Sequence, residues 1–560
     1  MRRDLVAIAE RAWDVAVVGG GVYGVCAAWE AARRGLAVCL LERDDFGGAT
    51  SSQSLKVIHG GLRYLQHAHL PRFFEAVAER RRFLELAPHL VSPMPFVMPT
   101  RGRALRSREA MALALLANDV LGLRRSPRAD PGKRIPRGRV LRRGEALELL
   151  PGLAGTGITG GALWWDCQTY STERLLLALL AAAAGAGAEV ANRAEVTERL
   201  GPPERIEGVR VRDAETGAVH EVRARVVVNA AGPWADALLA RLVERPPRPR
   251  FLASKAFNLV TRRLREGPGV GLEGSEEVRD RDAVVRAGRR LFFVVPWHDL
   301  SLVGTRHLPW RGDPDEFRVS REDVRLFVEE VNAAYPPLAL RAGDVIGVYG
   351  GMLPQTPASL GAPEVELEKR SRVVDHGRED GIEGMVTLLG VKWTAARAVA
   401  ASGIALACRK LGRQRRPPPL DGVRLAGSEF ERHADFLAKE REALPGCLGR
   451  ASAEHLLRSF GTRARDLFAL AERRPELGAP LQEGSPVIGA EVVRAVRDEM
   501  ALHLDDVVLR RTELSLASPL GDAAIERAAQ LMAQELGWDA PRVDAELARA
   551  HAALARFRAG

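Results

Sequence analysis

The tightest constraint on this chain lies in its first 42 residues. Asp14-Val15-Ala16-Val17-Val18 reads as a buried strand, and Gly19-Gly20-Gly21-Val22-Tyr23-Gly24 follows as G-x-G-x-x-G. An Ala-rich helix runs from Cys26 to Arg34, a second strand covers Ala37–Leu41, and Glu42 closes the unit. Each part has a physical reason. Gly19 permits the tight turn, Gly21 lets the backbone approach a pyrophosphate, and Gly24 allows close helix–strand packing. The helix start offers unpaired amides and the positive end of a dipole to phosphate. Glu42, ending the second strand, can accept from ribose hydroxyls. Strand, glycines, helix, strand and acid in this order predict a Rossmann-type dinucleotide site, a far more specific signal than the glycines alone.

A second apolar strand ending in small residues, Arg225-Val226-Val227-Val228-Asn229-Ala230-Ala231-Gly232-Pro233-Trp234, lies some 200 residues further on. It returns the chain to the same sheet, which suits a permanently held flavin better than a dissociable nicotinamide, although spacing alone leaves both open. Short β-type runs (Val15–Val18, Ala37–Leu41, Arg225–Asn229, Leu291–Val295, Leu300–Gly304) alternate with helical stretches, the α/β pattern, with a second sheet expected between about 250 and 345. Arg245-Pro-Pro-Arg-Pro-Arg250 and Arg413-Gln-Arg-Arg-Pro-Pro-Pro419 read as linkers. Beyond 420 the pattern is helical, and Val493, Val496, Met500, Leu504 and Val508 form an apolar stripe that reads as core. The expected organisation is a dinucleotide-binding domain in two parts (1–100 and 151–245) and a basic segment at 101–150. A substrate-binding antiparallel sheet (246–345), a return segment (346–412) and a helical C-terminal domain (420–560) complete it.

Composition narrows the class. The 46% hydrophobic content of the 560 residues excludes disorder. The net charge of +10 sits in one place: residues 101–143 hold 13 Lys/Arg against 3 Asp/Glu, and the remainder is balanced. General nucleic-acid affinity is therefore not implied, whereas an anionic membrane surface is a candidate partner for that patch. Five scattered cysteines without a C-x-x-C pair suggest neither zinc nor a disulfide framework and fit a cytoplasmic setting. No signal peptide is read at the start, and the longest apolar run, Leu175–Ala188, is too short to span a bilayer, so membrane contact is expected to be peripheral.

The segment Gly47-Gly48-Ala49-Thr50-Ser51-Ser52-Gln53-Ser54-Leu55-Lys56-Val57-Ile58-His59-Gly60-Gly61-Leu62-Arg63-Tyr64 resembles the FAD-dependent glycerol-3-phosphate dehydrogenase family. The resemblance continues through Asn229–Trp234, Phe293–Trp297, Gly304-Thr305, Gly390-Val391-Lys392-Trp393-Thr394, Phe460–Asp466, Ala490–Met500 and Leu504–Arg511. It implies FAD as cofactor, oxidation of sn-glycerol 3-phosphate to dihydroxyacetone phosphate, and a quinone or other electron acceptor. Family members are commonly peripheral membrane proteins and often dimers, which makes a homodimer a further candidate. For the cofactor, the resemblance and the motif together single out Gly19, Gly21, Gly24, Glu42, Thr50, Ser51, Ser52, His59, Gly60, Gly61, Ala231, Gly232, Trp234, Gly390, Lys392 and Thr394.

Arg63, Tyr64 and Lys392 match family positions lining the substrate pocket, and Arg370 matches a family Arg. An Arg can grip phosphate as a fork, a Tyr can bond a hydroxyl, and Lys392, one of only seven lysines, suits proton transfer or oxyanion stabilisation. The chain also departs from the family. Leu353 stands where a phosphate-binding Arg is usual, Phe257 where a candidate catalytic His is usual, and Arg306-His307 replace Thr-Asp. One expectation is that Arg306 and Lys255 restore the lost cation and His307 the lost base. The other is that specificity has moved to another hydroxy acid or polyol phosphate. An amine-oxidising flavoenzyme and a non-catalytic flavin-binding subunit or sensor remain as alternatives.

Overall fold

The computed structural model describes the chain apart from residues 66–68, 103–106, 124, 128–129, 245–247, 280–286, 361, 363–364, 414–415 and 559–560. The side chains of residues 63, 275–279 and 287–288 also fall outside the description. Both expected linkers lie partly in these gaps.

Strand Trp13–Val18 is buried along almost its whole length, as a central parallel strand of a doubly covered sheet must be. It pairs in parallel with Val38–Leu41 on one side and with Val219–Asn229 on the other, Val18 opposite Asn229. Glu189–Ala191, Met385–Leu389 and Arg372–Asp375 extend the sheet, and the antiparallel pair Ala194–Leu200 and Gly208–Asp213 continues from the long strand Val219–Asn229. Helix Val22–Arg33 packs against Thr172–Gly185 and Ala396–Lys410. The longest apolar run is thus a helix of this core, and no described helix is long and apolar enough to cross a membrane.

The second sheet has nine strands and is mostly antiparallel. Ala253–Arg262, Gly269–Arg279, Ala287–Trp297, Leu300–Pro309 and Val345–Pro354 form one part. Val91–Arg101, Arg139–Arg142, Ile158–Thr169 and Val57–Ile58 form the rest, so the sheet reaches well outside the expected 246–345. The cause is general: a half-buried strand pattern shows that a segment pairs, not with which sheet. Helix Arg321–Ala334 covers one face, its capping box supplied by Ser320 and Asp323.

The C-terminal domain is helical with its own apolar core. Its expected stripe does not lie on one helix. Gly489–Glu499 ends at Met500 in the left-handed conformation, and Leu504 and Val508 belong to a separate turn, although four of the five residues are buried as core. The architecture is α/β: a Rossmann-type FAD-binding domain, an inserted largely antiparallel sheet and a helical C-terminal domain.

Candidate active site

Gly19 has a φ of +109°, and a Cβ there would lie 2.6 Å from the Ala230 carbonyl oxygen; one at Gly24 would lie 1.8 Å from the Gly19 oxygen. No other residue fits this crossing of helix and strands. Val22 N, at the helix start, donates to Ser51 Oγ (2.9 Å), which brings the Thr50–Ser52 turn over the end of the helix. Thr50 Oγ1 bonds the backbone of Met352 in both directions, and Ser52 Oγ donates to Ala49 O. Trp393 Nε1 donates to Ser51 O (3.0 Å), so the Gly390–Thr394 segment closes on the same turn. Ala231 N donates to Asn229 Oδ1, and Gly232 adopts a left-handed φ of +56°. Trp234 sits further out, its Nε1 donating to Asp315 Oδ1 and its ring under Arg43.

Glu42 receives Gly20 N at Oε2 and Asp44 N at Oε1 (2.8 Å). Burial pushes its carboxyl up to about 7, against the lowering effect of those two amides. The glycine turn, the open helix start and the acid at the next strand end fit a dinucleotide.

Tyr23, inside the glycine motif, carries the second half of the site. Its Oη donates to Lys392 O (2.7 Å) and accepts from Val391 N and Lys392 N at 3.1 and 3.2 Å. A Cβ at Gly390 would strike the Tyr23 ring at 2.2 Å. Burial raises the phenol to about 12, so it stays protonated. The Lys392 side chain leaves this pinned backbone, and its Nζ donates to Tyr64 Oη (2.9 Å) while lying 4.4 Å from the Tyr64 ring centroid. Both line a cavity of about 380 Å³ together with His59, Arg370, Thr394 and Glu75. The volume falls in the ~300–1,000 Å³ range usual for small-molecule sites. Arg63 lies on the same short helix, Leu62–Leu65, but its side chain is outside the described residues.

His59 Nδ1 lies 3.4 Å from Asp166 Oδ2. Asp166 also accepts from Gly60 N (2.5 Å), Arg80 Nη1 (2.7 Å) and Trp164 Nε1 (3.3 Å). Burial alone would raise this carboxyl, yet the His59 hydrogen bond and the Arg80 guanidinium outweigh it and hold it below the usual carboxylate range. Gly61, with a φ of +89°, makes the bend that follows. Asp166 was not singled out from sequence. The available signal was an acid in the otherwise apolar run Ala162–Cys167, but no spacing links it to His59; antiparallel pairing of Ile58 with Cys167 does. Glu75 and Glu79 were also missed, and Glu79 holds Arg397 Nε at 2.7 Å.

The expected swap of cations does not form. Lys255, Phe257 and Arg306 lie on the face of the sheet that helix Arg321–Ala334 covers. Lys255 Nζ pairs with Asp323 Oδ2 (2.7 Å) and Arg306 with Glu330. Phe257 is fully buried, its ring 5.6 Å from that of Phe327. Strand alternation is the reason: neighbouring residues point to opposite faces. The residue that faces the Thr50–Gln53 turn is Asn258, whose Nδ2 donates to Gln53 O (3.2 Å). His307, opposite Ala256, is on Asn258's face, yet neither it nor Lys255, Arg306 or Leu353 lines the cavity. Leu353 keeps the orientation of Gly351, whose Cβ would meet Thr50 at 3.0 Å. Lys255 and Arg306, the cations expected to replace it, are held on the opposite face.

Two family models match the chain: FAD dependent oxidoreductase over residues 14–366 and C-terminal domain of alpha-glycerophosphate oxidase over residues 421–543. With the glycine turn and the adjoining cavity, they define an FAD-dependent oxidoreductase. Glycerol-3-phosphate dehydrogenase of Mycobacterium leprae is 34% identical over 538 residues, covering 96% of this chain and 87% of that protein. The enzyme of the same name from Synechocystis is 29% identical, covering 98% and 97%. A crystal structure of glycerol-3-phosphate dehydrogenase from Bacillus halodurans complexed with FAD superposes with a TM-score of 0.75 at 22% identity, covering 99% of this chain and 96% of that one. The chain belongs to the FAD-dependent glycerol-3-phosphate dehydrogenase family.

Proposed function

We propose that the chain oxidises the C2 hydroxyl of sn-glycerol 3-phosphate to dihydroxyacetone phosphate and passes the electrons to a quinone. The observation that carries this reading is the meeting of Tyr64, Lys392 and Arg370 in one cavity beside the dinucleotide turn. The chemistry supplied by FAD, when bound along Gly19–Gly24, is hydride acceptance and onward delivery of two electrons. Arg370, at the cavity wall, holds the phosphate. Lys392 and Tyr64 hold the C2 oxygen and stabilise negative charge on it. His59, with Nδ1 directed at Asp166, presents Nε2 to take the hydroxyl proton as the C2 hydride departs. Anaerobic mixing of the flavin-loaded protein with sn-glycerol 3-phosphate tests this: rapid bleaching is expected, and no bleaching in protein that dithionite does reduce would overturn the substrate.

Leu353 and Asn258, on the face toward the Thr50–Gln53 turn, favour a second reading. With one family cation missing there, the substrate is a different phosphorylated polyol or hydroxy acid. Glu75 in the cavity wall also brings amines into the same substrate screen.

An anionic lipid surface is proposed as the docking partner. Helix Arg108–Leu121 buries only Leu115, and Leu113, Leu116 and Val120, with Leu123 just beyond, form an exposed apolar stripe. Arg108, Arg134, Arg137, Arg139, Arg142 and Arg143 are exposed nearby in sequence, which suits insertion beside phosphate headgroups. Salt-sensitive sedimentation with phosphatidylglycerol vesicles, lost in Leu116→Glu, is expected; equal binding by the variant would remove the proposal.

A further inference from the structure

The turn that follows Glu42 is held from the far end of the chain. Phe46 packs on the glycine motif so closely that a Cβ at Gly20 would lie 2.7 Å from its ring, and Gly47 N donates to Gly20 O (3.1 Å). Between these residues and Glu42 sits Asp45, which is buried. Its carboxylate takes Arg511 as a two-point fork (Nη1–Oδ2 2.8 Å, Nη2–Oδ1 2.7 Å), Arg510 Nε at 2.7 Å and Asn192 Nδ2 at 3.2 Å. Arg510 also reaches Asp505 (3.0 Å) and Asp506 (2.5 Å), and Arg511 donates to Glu499 O.

Both arginines come from the turn Val507–Arg511, wound more widely than an α-helix and closed by Thr512 N to Val507 O (3.0 Å). The wide turn rotates successive side chains less than an α-turn does, so two neighbours reach one carboxylate. Such turns are frequent at functional positions. Burial would raise the Asp45 carboxyl, but Arg511 and Arg510 hold it well below the usual range. A buried ion pair adds little net stability compared with apolar packing; its best-attested use is to fix one arrangement of parts. The arrangement fixed here is the C-terminal domain against the cofactor turn.

We propose that Arg510 and Arg511 are positioning residues for FAD: through Asp45, the C-terminal domain holds the 43–48 turn against Gly20 and so sets the affinity of the glycine motif for the dinucleotide. The inference depends on the cofactor and is independent of which alcohol is oxidised, so a failed substrate test leaves it standing. Coupling of this kind is reciprocal, because FAD must strengthen domain docking by the factor by which docking strengthens FAD binding.

The test is titration of deflavinated full-length protein with FAD, followed by flavin fluorescence. Arg511→Met and Asp45→Asn raise the Kd roughly 10–100-fold, and Arg511→Lys, which keeps charge but loses the fork, falls between them and the parent. Tyr170→Phe removes a different contact to the C-terminal domain, the 3.1 Å bond from Tyr170 Oη to His455 Nδ1, and leaves the Kd unchanged. A folded Arg511→Met protein with the parent's Kd overturns the proposal, as does an equal shift in Tyr170→Phe, which would mean general loosening. Should Arg511→Met not fold, amide exchange in the unaltered protein decides: FAD slows exchange over 504–512 if the coupling exists, and identical rates with and without FAD overturn it.

Discussion

Lys255 and Arg306 each end on a carboxylate of helix Arg321–Ala334, whereas Lys392 ends on the Tyr64 phenol and Arg370 makes no ion pair among the described residues. All four are cations on or next to strands of the same molecule. What separates them is place: one pair lies under a helix, the other at a cavity wall. A cation matched by a helix carboxylate has its charge answered by the fold and holds a helix on a sheet. A cation at the wall of a cavity, bonded to a hydroxyl that lines the same cavity, stands where an incoming anion can meet it.

The largest effect is expected on the compensated side. Arg306→Ala leaves Glu330 buried without its cation and costs about 3–5 kcal/mol, read as a fall in Tm, while the KM for sn-glycerol 3-phosphate stays where it was. A raised KM with an unchanged Tm would erase the distinction between the two sets. On the cavity side, Lys392→Met slows anaerobic flavin reduction by about 10²–10³-fold with Tm nearly constant, the loss typical of an oxyanion-stabilising donor. Stopped-flow absorbance measures it, and a rate near the parent's would remove Lys392 from the chemistry. Arg370→Ala removes a charge-assisted phosphate contact of about 1.5–3 kcal/mol, a roughly tenfold to hundredfold rise in KM. Unphosphorylated glycerol, if oxidised at all, loses nothing by the same change.

The smallest effect concerns pH. Glu42 is raised by burial to about 7, so the folded apoprotein holds its proton more tightly than the unfolded chain does. The stability from this group is full below the unfolded carboxyl pKa of about 4.3 and is lost as pH rises through about 7. FAD, whose ribose hydroxyls need the ionised acceptor, gains affinity as the pH rises through about 7, by up to about tenfold between pH 6 and 8. Fluorescence titrations from pH 6 to 8 should show the slope in the parent and a flat line in Glu42→Gln; parallel slopes would place the titrating group elsewhere.

How much of this could be read in the sequence follows from what each part needs. The glycine turn needs absent side chains at fixed spacing, so Gly19, Gly21 and Gly24 announce it, and the helical C-terminal domain is announced by apolar periodicity. Strand membership is decided by partners hundreds of residues away, which is why Val91–Arg101 and Ile158–Thr169 join the second sheet unannounced. Face is more fragile still. Between Phe257 and Asn258, one residue separates the packed core from the Thr50–Gln53 turn, and a resemblance names positions without saying which face each takes. The His59–Asp166 and Asp45–Arg511 contacts are set by the folded surfaces and leave no spacing to find.

The pairing of Trp13–Val18 with Val219–Asn229, and of Tyr23 with Lys392, also has a meaning in synthesis time. At ~5–20 residues per second, the first strand waits roughly 10–40 s for its neighbour to be made, and the glycine helix waits about as long again for its lysine. Throughout that delay the emerging chain presents an unclosed strand edge. Ribosome-bound chains halted before Val219 should neither retain flavin nor resist aggregation, so the N-terminal half is the part of this protein most in need of chaperone cover.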